Sequence, residues 1–121
     1  QYLSNHESVE RVIYPSVMDG YSKDRAEKYL TRGNGGLMGF EIKGGIEAGK
    51  KFINALEMVY HVANIGDSRS LAIHPGSTTH SQLNEEELLS AGITPGFVRL
   101  SIGLEHIDDI IADYEQALAK I

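Results

Sequence analysis

Apolar and polar residues alternate along this chain with two different periods, and the changes of period mark its elements. Val9-Glu10-Arg11-Val12-Ile13-Tyr14 is short, partly β-branched and halted by Pro15, which predicts a strand. Residues 16–22 are polar and form a loop, and Ser22 is placed to cap a short helix over residues 23–30, with Ala26, Tyr29 and Leu30 at helical spacing. Gly33-Asn34-Gly35-Gly36 predicts a turn, and Leu37 to Lys43, bounded by glycines, a second strand. Gly49, Phe52 or Ile53, Leu56, and Val59 or Tyr60 then recur every three to four residues, predicting an amphipathic helix over residues 46–58.

Two short apolar pieces, residues 60–63 and 70–74, predict strands separated by Gly66-Asp67. Asn84 precedes three glutamates and predicts a helix N-terminus, with Gly92 as the stop. Phe97 to Ile102 is a further strand. The last helix spans residues 105–119, its apolar face made of Ile107, Ile110, Ile111, Tyr114, Ala117, Leu118 and Ile121. These elements are too few and too irregular for a doubly wound parallel sheet. They predict an α+β fold: a small, largely antiparallel sheet with helices packed on one face, as one domain over residues 1–121.

Composition narrows the classes. A chain of 121 residues, 41% of them hydrophobic, can bury a core without staples. It has no cysteine, which excludes disulfides, thiolate metal sites and a cysteine nucleophile and suits a reducing compartment such as the cytoplasm. Eleven basic against seventeen acidic residues, for a net charge of −6, leave no basic stripe for nucleic acid. No window approaches the roughly 20 apolar residues of a bilayer span, and residues 1–11 lack the order of a signal peptide. The chain begins with Gln1, so a piece of a longer polypeptide is expected.

Candidate chemistry concentrates in two places. On the strand Phe97 to Ile102, period-two alternation puts Val98, Leu100 and Ile102 on a core face and Phe97, Arg99 and Ser101 on the other. The Arg99 guanidinium is a planar fork that suits a carboxylate, but the pattern alone favours a solvated or structurally paired arginine. The segment His74-Pro75-Gly76-Ser77-Thr78-Thr79-His80-Ser81 is dense in hydroxyl and imidazole groups. Its two histidines lack metal-ligand spacing and no nucleophile elbow accompanies it, so a turn rich in local side-chain to backbone bonds is expected. Glycines 33, 35, 36 and 39 fail the phosphate-loop spacing and are expected to permit a tight turn into a strand. His6, His61 and His106 stand alone, as packing or surface residues, and Glu85 to Glu87 make a solvated first turn.

Taken in order, five segments and the ending carry a family resemblance. Tyr14-Pro15, Gly35-Gly36-Leu37-Met38-Gly39-Phe40-Glu41-Ile42-Lys43-Gly44-Gly45, Asn64-Ile65-Gly66-Asp67, His74-Pro75-Gly76-Ser77-Thr78-Thr79-His80, Val98-Arg99-Leu100-Ser101-Ile102-Gly103-Leu104-Glu105 and the ending Ile107 to Asp113 resemble the C-terminal part of the Cys/Met-metabolism family of pyridoxal-phosphate enzymes. Asn-Ile-Gly-Asp and Ser-Thr-Thr-His look most like its O-acetylhomoserine sulfhydrylase branch; methionine γ-lyases and cystathionine synthases or lyases are the alternatives. The resemblance implies the C-terminal domain of a fold-type I enzyme that is a homodimer or homotetramer. In that family the matching arginine, here Arg99, binds the substrate's α-carboxylate. Asn64 and Thr79 are the further candidates for that pocket. The residues that hold pyridoxal phosphate belong to the family's large domain, so no catalytic, cofactor-binding or metal-binding residue is expected in this chain, which alone is expected to be inactive. Lys28-Tyr29-Leu30-Thr31-Arg32-Gly33-Asn34 resembles the segment after the Schiff-base lysine but has an extra residue before Gly33, and Lys28 is expected to be an exposed helix residue.

Overall fold

Strands β1 (Val9–Ile13), β2 (Leu37–Ile42), β3 (Tyr60–His61), β4 (Leu71–Ile73) and β5 (Phe97–Ser101) form one sheet in the order β1-β2-β5-β4-β3. The computed structural model describes residues 1–121, except for the side chain of Glu85. All pairings are antiparallel but the last, β3 with β4, which is parallel. The helices are α1 (Gly20–Tyr29), α2 (Gly45–Ala55), α3 (Glu85–Ser90) and α4 (Ile107–Leu118).

Register decides which side chains meet. Val12, Phe40 and Val98 pair across three strands, as do Met38, Leu100 and Ala72. This is the core face. Phe52 and Ile53 of α2 and Ile110, Tyr114, Ala117 and Leu118 of α4 cover it. The Phe52 ring meets Phe40 edge-on at 5.5 Å between centroids and Tyr114 at 6.0 Å. Each such large side chain contributes roughly 1.5–3 kcal/mol by leaving water. The expected α+β arrangement is present, with α2 and α4 as the helices on the sheet. Helix α1 buries none of its residues and packs against the short 3-10 turn Pro15–Val17 instead.

Several boundaries differ from the periodicity, each for a local reason. Helix α1 starts at Gly20, after Asp19, rather than after Ser22: Gly20, at φ +57°, already turns the chain into the helix. Helix α2 stops at Ala55 instead of continuing to residue 58. The Asp113 carboxylate of α4 accepts the amides of Glu57, Met58 and Val59 at 2.9–3.0 Å, and the Gln116 side chain donates to the Ala55 carbonyl at 2.6 Å. A carboxylate from another element thus satisfies donors that a longer helix would have used internally. Helix α4 begins at Ile107 rather than 105 because His106 is its N-cap and Glu105 is engaged elsewhere, and Ile107 is exposed rather than part of the apolar face. Helix α3 has the expected Asn84 cap, completed by Glu87 into a reciprocal capping box.

Candidate functional site

The site lies on the sheet face turned away from α2 and α4. Alternation along β5 places Phe97, Arg99 and Ser101 there, while Val98 and Leu100 are fully buried on the opposite side. Arg99 is half-buried in the middle of the sheet, opposite Gly39 of β2 and Ile73 of β4. Gly39 sits inside β2, within the strand predicted over Leu37 to Lys43. A Cβ there would lie 2.5 Å from the Phe97 ring, so the ring occupies the space that a side chain at 39 would fill. Arg99 therefore projects beside an aromatic ring, over a floor of glycine and isoleucine.

Asn64 comes to the same place. Its carbonyl accepts a bond from Arg99 Nη2 at 3.3 Å, and its side-chain Oδ1 accepts the amide of Ile65 at 2.9 Å. Sequence paired these two residues only through the family resemblance; the fold brings the loop holding Asn64 against β5. Thr79 is different. It is exposed, its hydroxyl 2.9 Å from His80 Nδ1, and among the described residues it makes no hydrogen bond to Arg99 or Asn64.

Among the described residues no acid pairs with Arg99. Among the same residues the ion pairs are Arg11 with Glu41 and Lys50 with Glu47. A guanidinium carries five donors, and Arg99 uses one of its nitrogens on a neutral carbonyl at the long end of the hydrogen-bond range. The remaining fork has the geometry for a bidentate carboxylate.

The segment after β4 forms the expected turn of local bonds. His74 is fully buried; its Nε2 lies 2.7 Å from the Pro95 carbonyl and its Nδ1 2.8 Å from the Ser77 hydroxyl. The Thr78 hydroxyl donates to the His74 carbonyl at 2.9 Å. Burial holds the imidazole pKa below its ordinary value, despite the Pro95 bond, and the Lys50 charge adds to the lowering.

Sequence inspection missed Glu41, which is buried on the same face as Arg99. It accepts Arg11 Nη2 at 2.7 Å and the Thr94 hydroxyl at 2.6 Å. Burial alone would raise its pKa, but those bonds win and hold the carboxyl below the usual range. The signal was available: Glu41 is the acidic residue on the outward alternation of β2. Lys28 is an exposed residue of α1, as expected, and no helix is long and apolar enough to cross a membrane.

The profile of the family described as Cys/Met metabolism PLP-dependent enzyme matches residues 1–119. The O-acetyl-L-homoserine sulfhydrylase of Leptospira meyeri is 55% identical over 122 aligned positions, covering 100% of this chain and 28% of that protein. The L-methionine gamma-lyase of Fusobacterium nucleatum subsp. polymorphum is 45% identical, over 100% of this chain and 30% of its own length. Among solved structures, a Campylobacter jejuni protein described as an O-acetylhomoserine (thiol)-lyase, carrying N'-pyridoxyl-lysine-5'-monophosphate, superposes with a TM-score of 0.86 at 44% identity. That match covers 98% of this chain and 28% of the other. The chain thus spans a little over a quarter of the length of these relatives.

Proposed function

Because this chain belongs to the Cys/Met-metabolism family of PLP-dependent enzymes, we propose that it is the C-terminal, substrate-carboxylate-binding domain of an O-acetylhomoserine sulfhydrylase. The reaction is a γ-replacement: sulfide bonds to the γ-carbon of O-acetylhomoserine as acetate leaves, and homocysteine is formed. Arg99 carries the proposal. It is a half-buried guanidinium at the centre of a sheet, with no acid of its own among the described residues and a neutral carbonyl as its one hydrogen-bond partner. An amino-acid substrate presents the α-carboxylate that such a fork binds, and holding it fixes the substrate for the chemistry at its other carbons. Asn64, directly beside the guanidinium, is assigned to the same pocket, and Thr79 is a further candidate for it on the family resemblance.

The lysines present do not fit the role of cofactor-bearing residue. Lys23, Lys28, Lys43, Lys50, Lys51 and Lys120 are all exposed, whereas a Schiff-base lysine is activated by desolvation or by a cationic neighbour within a pocket. The groups that hold pyridoxal phosphate are therefore assigned to a large domain outside these residues, and the 121 residues alone to a non-catalytic folding unit. When bound, the cofactor supplies the electron sink of the reaction. We place the enzyme in the cytoplasm as a homodimer or homotetramer.

A methionine γ-lyase is the second possibility, supported by the 45% identity to that enzyme. The 55% identity to a sulfhydrylase and the Asn64-Ile65-Gly66-Asp67 segment favour the first. The test is kinetic: in the full-length enzyme, Arg99→Lys should lower kcat/KM for O-acetylhomoserine about ten- to a hundredfold, the loss expected of one charge-assisted fork. Unchanged kinetics remove Arg99 from the site.

A further inference from the structure

The loop of residues 62–70, which carries Asn64, is gripped by β5 and the turn that follows it at regular intervals. Arg99 donates to the Asn64 carbonyl, and the Gly66 amide donates to the Ser101 hydroxyl at 3.1 Å. Beyond the strand, the Leu104 amide donates to the Ser68 carbonyl at 2.8 Å and the Gly103 amide to the Ser70 hydroxyl at 2.9 Å. The last contact belongs to Glu105. Its Oε1 accepts the Ser70 amide at 2.7 Å and its Oε2 accepts the Ser70 hydroxyl at 2.8 Å, so both oxygens hold one residue.

We propose that Glu105 is a positioning residue of the carboxylate site: by anchoring Ser70 with both oxygens it fixes the 62–70 loop in the register that sets the Asn64 carbonyl against Arg99. Residues 62–69 are exposed and offer little apolar contact to hold the loop, whereas Ser70 is fully buried. The loop's position is thus set by polar bonds rather than by packing. Gly103 lets the two backbones close on each other, since a Cβ there would lie 2.4–2.5 Å from the backbone of residues 68–70. Burial pushes the Glu105 carboxyl up, but the Ser70 bonds outweigh it and keep the group ionised, which makes both contacts charge-assisted. Glu105 is assigned no contact with the substrate; it acts through Ser70.

This inference rests on the assignment of Arg99 to the substrate carboxylate, and its test keeps the two apart. In the full-length holoenzyme, Glu105→Gln leaves one acceptor oxygen and replaces the other by a donor facing the Ser70 hydroxyl. KM for O-acetylhomoserine should rise about tenfold while kcat per bound cofactor and KM for sulfide stay within about twofold, the pattern of lost ground-state binding. Ser70→Ala, which removes the hydroxyl and keeps the amide, should raise the same KM, and the two changes together should be less than additive. It also serves where Glu105→Gln fails to fold. Arg99→Lys is the reference. If it impairs the enzyme while both anchor variants keep the parental KM, Glu105 has no positioning role and the Arg99 assignment stands. If Arg99→Lys changes nothing, the assignment falls and this inference with it.

Discussion

The imidazole of His74 and the backbone of Gly49 touch so closely that a Cβ on Gly49 would lie 2.3 Å from Nε2 and 2.6–2.7 Å from the neighbouring ring carbons. The ring cannot retreat, because both nitrogens are engaged and the residue is fully buried. This contact lets α2 lie flush against the end of β4, and it links the helix to the turn that carries Thr79.

Gly49→Ala should therefore destabilise the protein, although alanine is favoured over glycine inside a helix by about 1 kcal/mol. Overpacking costs about 1–3 kcal/mol, and displacing the ring strands the Pro95 carbonyl for a further ~1–3 kcal/mol. A lower urea midpoint is expected. A midpoint equal to or above the parent's would show that the contact yields freely.

His74 should also make stability depend on pH. The Pro95 carbonyl can only accept, so Nε2 carries the proton and Nδ1 accepts from Ser77, a neutral tautomer. Its folded pKa lies below the unfolded value of about 6.5. Where the folded pKa is depressed in this way, the contribution is present above about pH 6.5 and is lost as pH falls below it, since the unfolded chain then binds the proton more readily. Denaturation midpoints of the parent should drop between about pH 7 and pH 5 more steeply than those of His74→Gln. Parallel profiles would sink the idea.

The cofactor assignment predicts that the 121 residues, mixed with pyridoxal phosphate at micromolar concentration, develop no saturable, lysine-dependent absorbance band. Exposed lysines have no pocket in which to retain the aldehyde. A saturable band abolished by replacing a single lysine would place a cofactor site in this chain.

The limits of legibility follow from where each signal is written. The β5 alternation told which face Arg99 would take, because period two is a local property of the backbone. Asn84 and Gly92 marked the ends of α3 for the same reason. What stayed hidden was set by residues far apart in sequence. Nothing local says that the Phe97 ring, 58 positions away, fills the space beside Gly39, or that Arg11 and Thr94 close on Glu41. Asn64 beside Arg99 was reachable through family resemblance alone, and the anchoring role of Glu105 not at all, since its position reads as the first turn of a helix. The end of α2 was misplaced by the same mechanism, a carboxylate arriving from another helix.

That carboxylate, Asp113, supports the most demanding stability prediction. It is buried, and it accepts three successive backbone amides, from Glu57, Met58 and Val59, together with the Gln116 side chain. Burial taken alone would raise its pKa; the amides and Gln116 more than offset that and hold it below the ordinary carboxylate value. With the folded pKa depressed, the stabilisation is present above about pH 4, the unfolded value, and disappears as pH falls through the folded one. In Asp113→Asn one acceptor oxygen is replaced by an NH2 group that faces backbone donors, and the ionic character of the remaining bonds is lost. The variant should be less stable by about 2–3 kcal/mol at pH 7. That gap should shrink progressively once the pH is lowered past about 4, because the parent then protonates and loses the same interaction. Urea denaturation of both proteins from about pH 7 down to about pH 3 measures the gap directly. A gap that stays constant across that range would mean that Asp113 acts by shape rather than charge, and would reassign the end of α2 to the chain's own preference after Ala55.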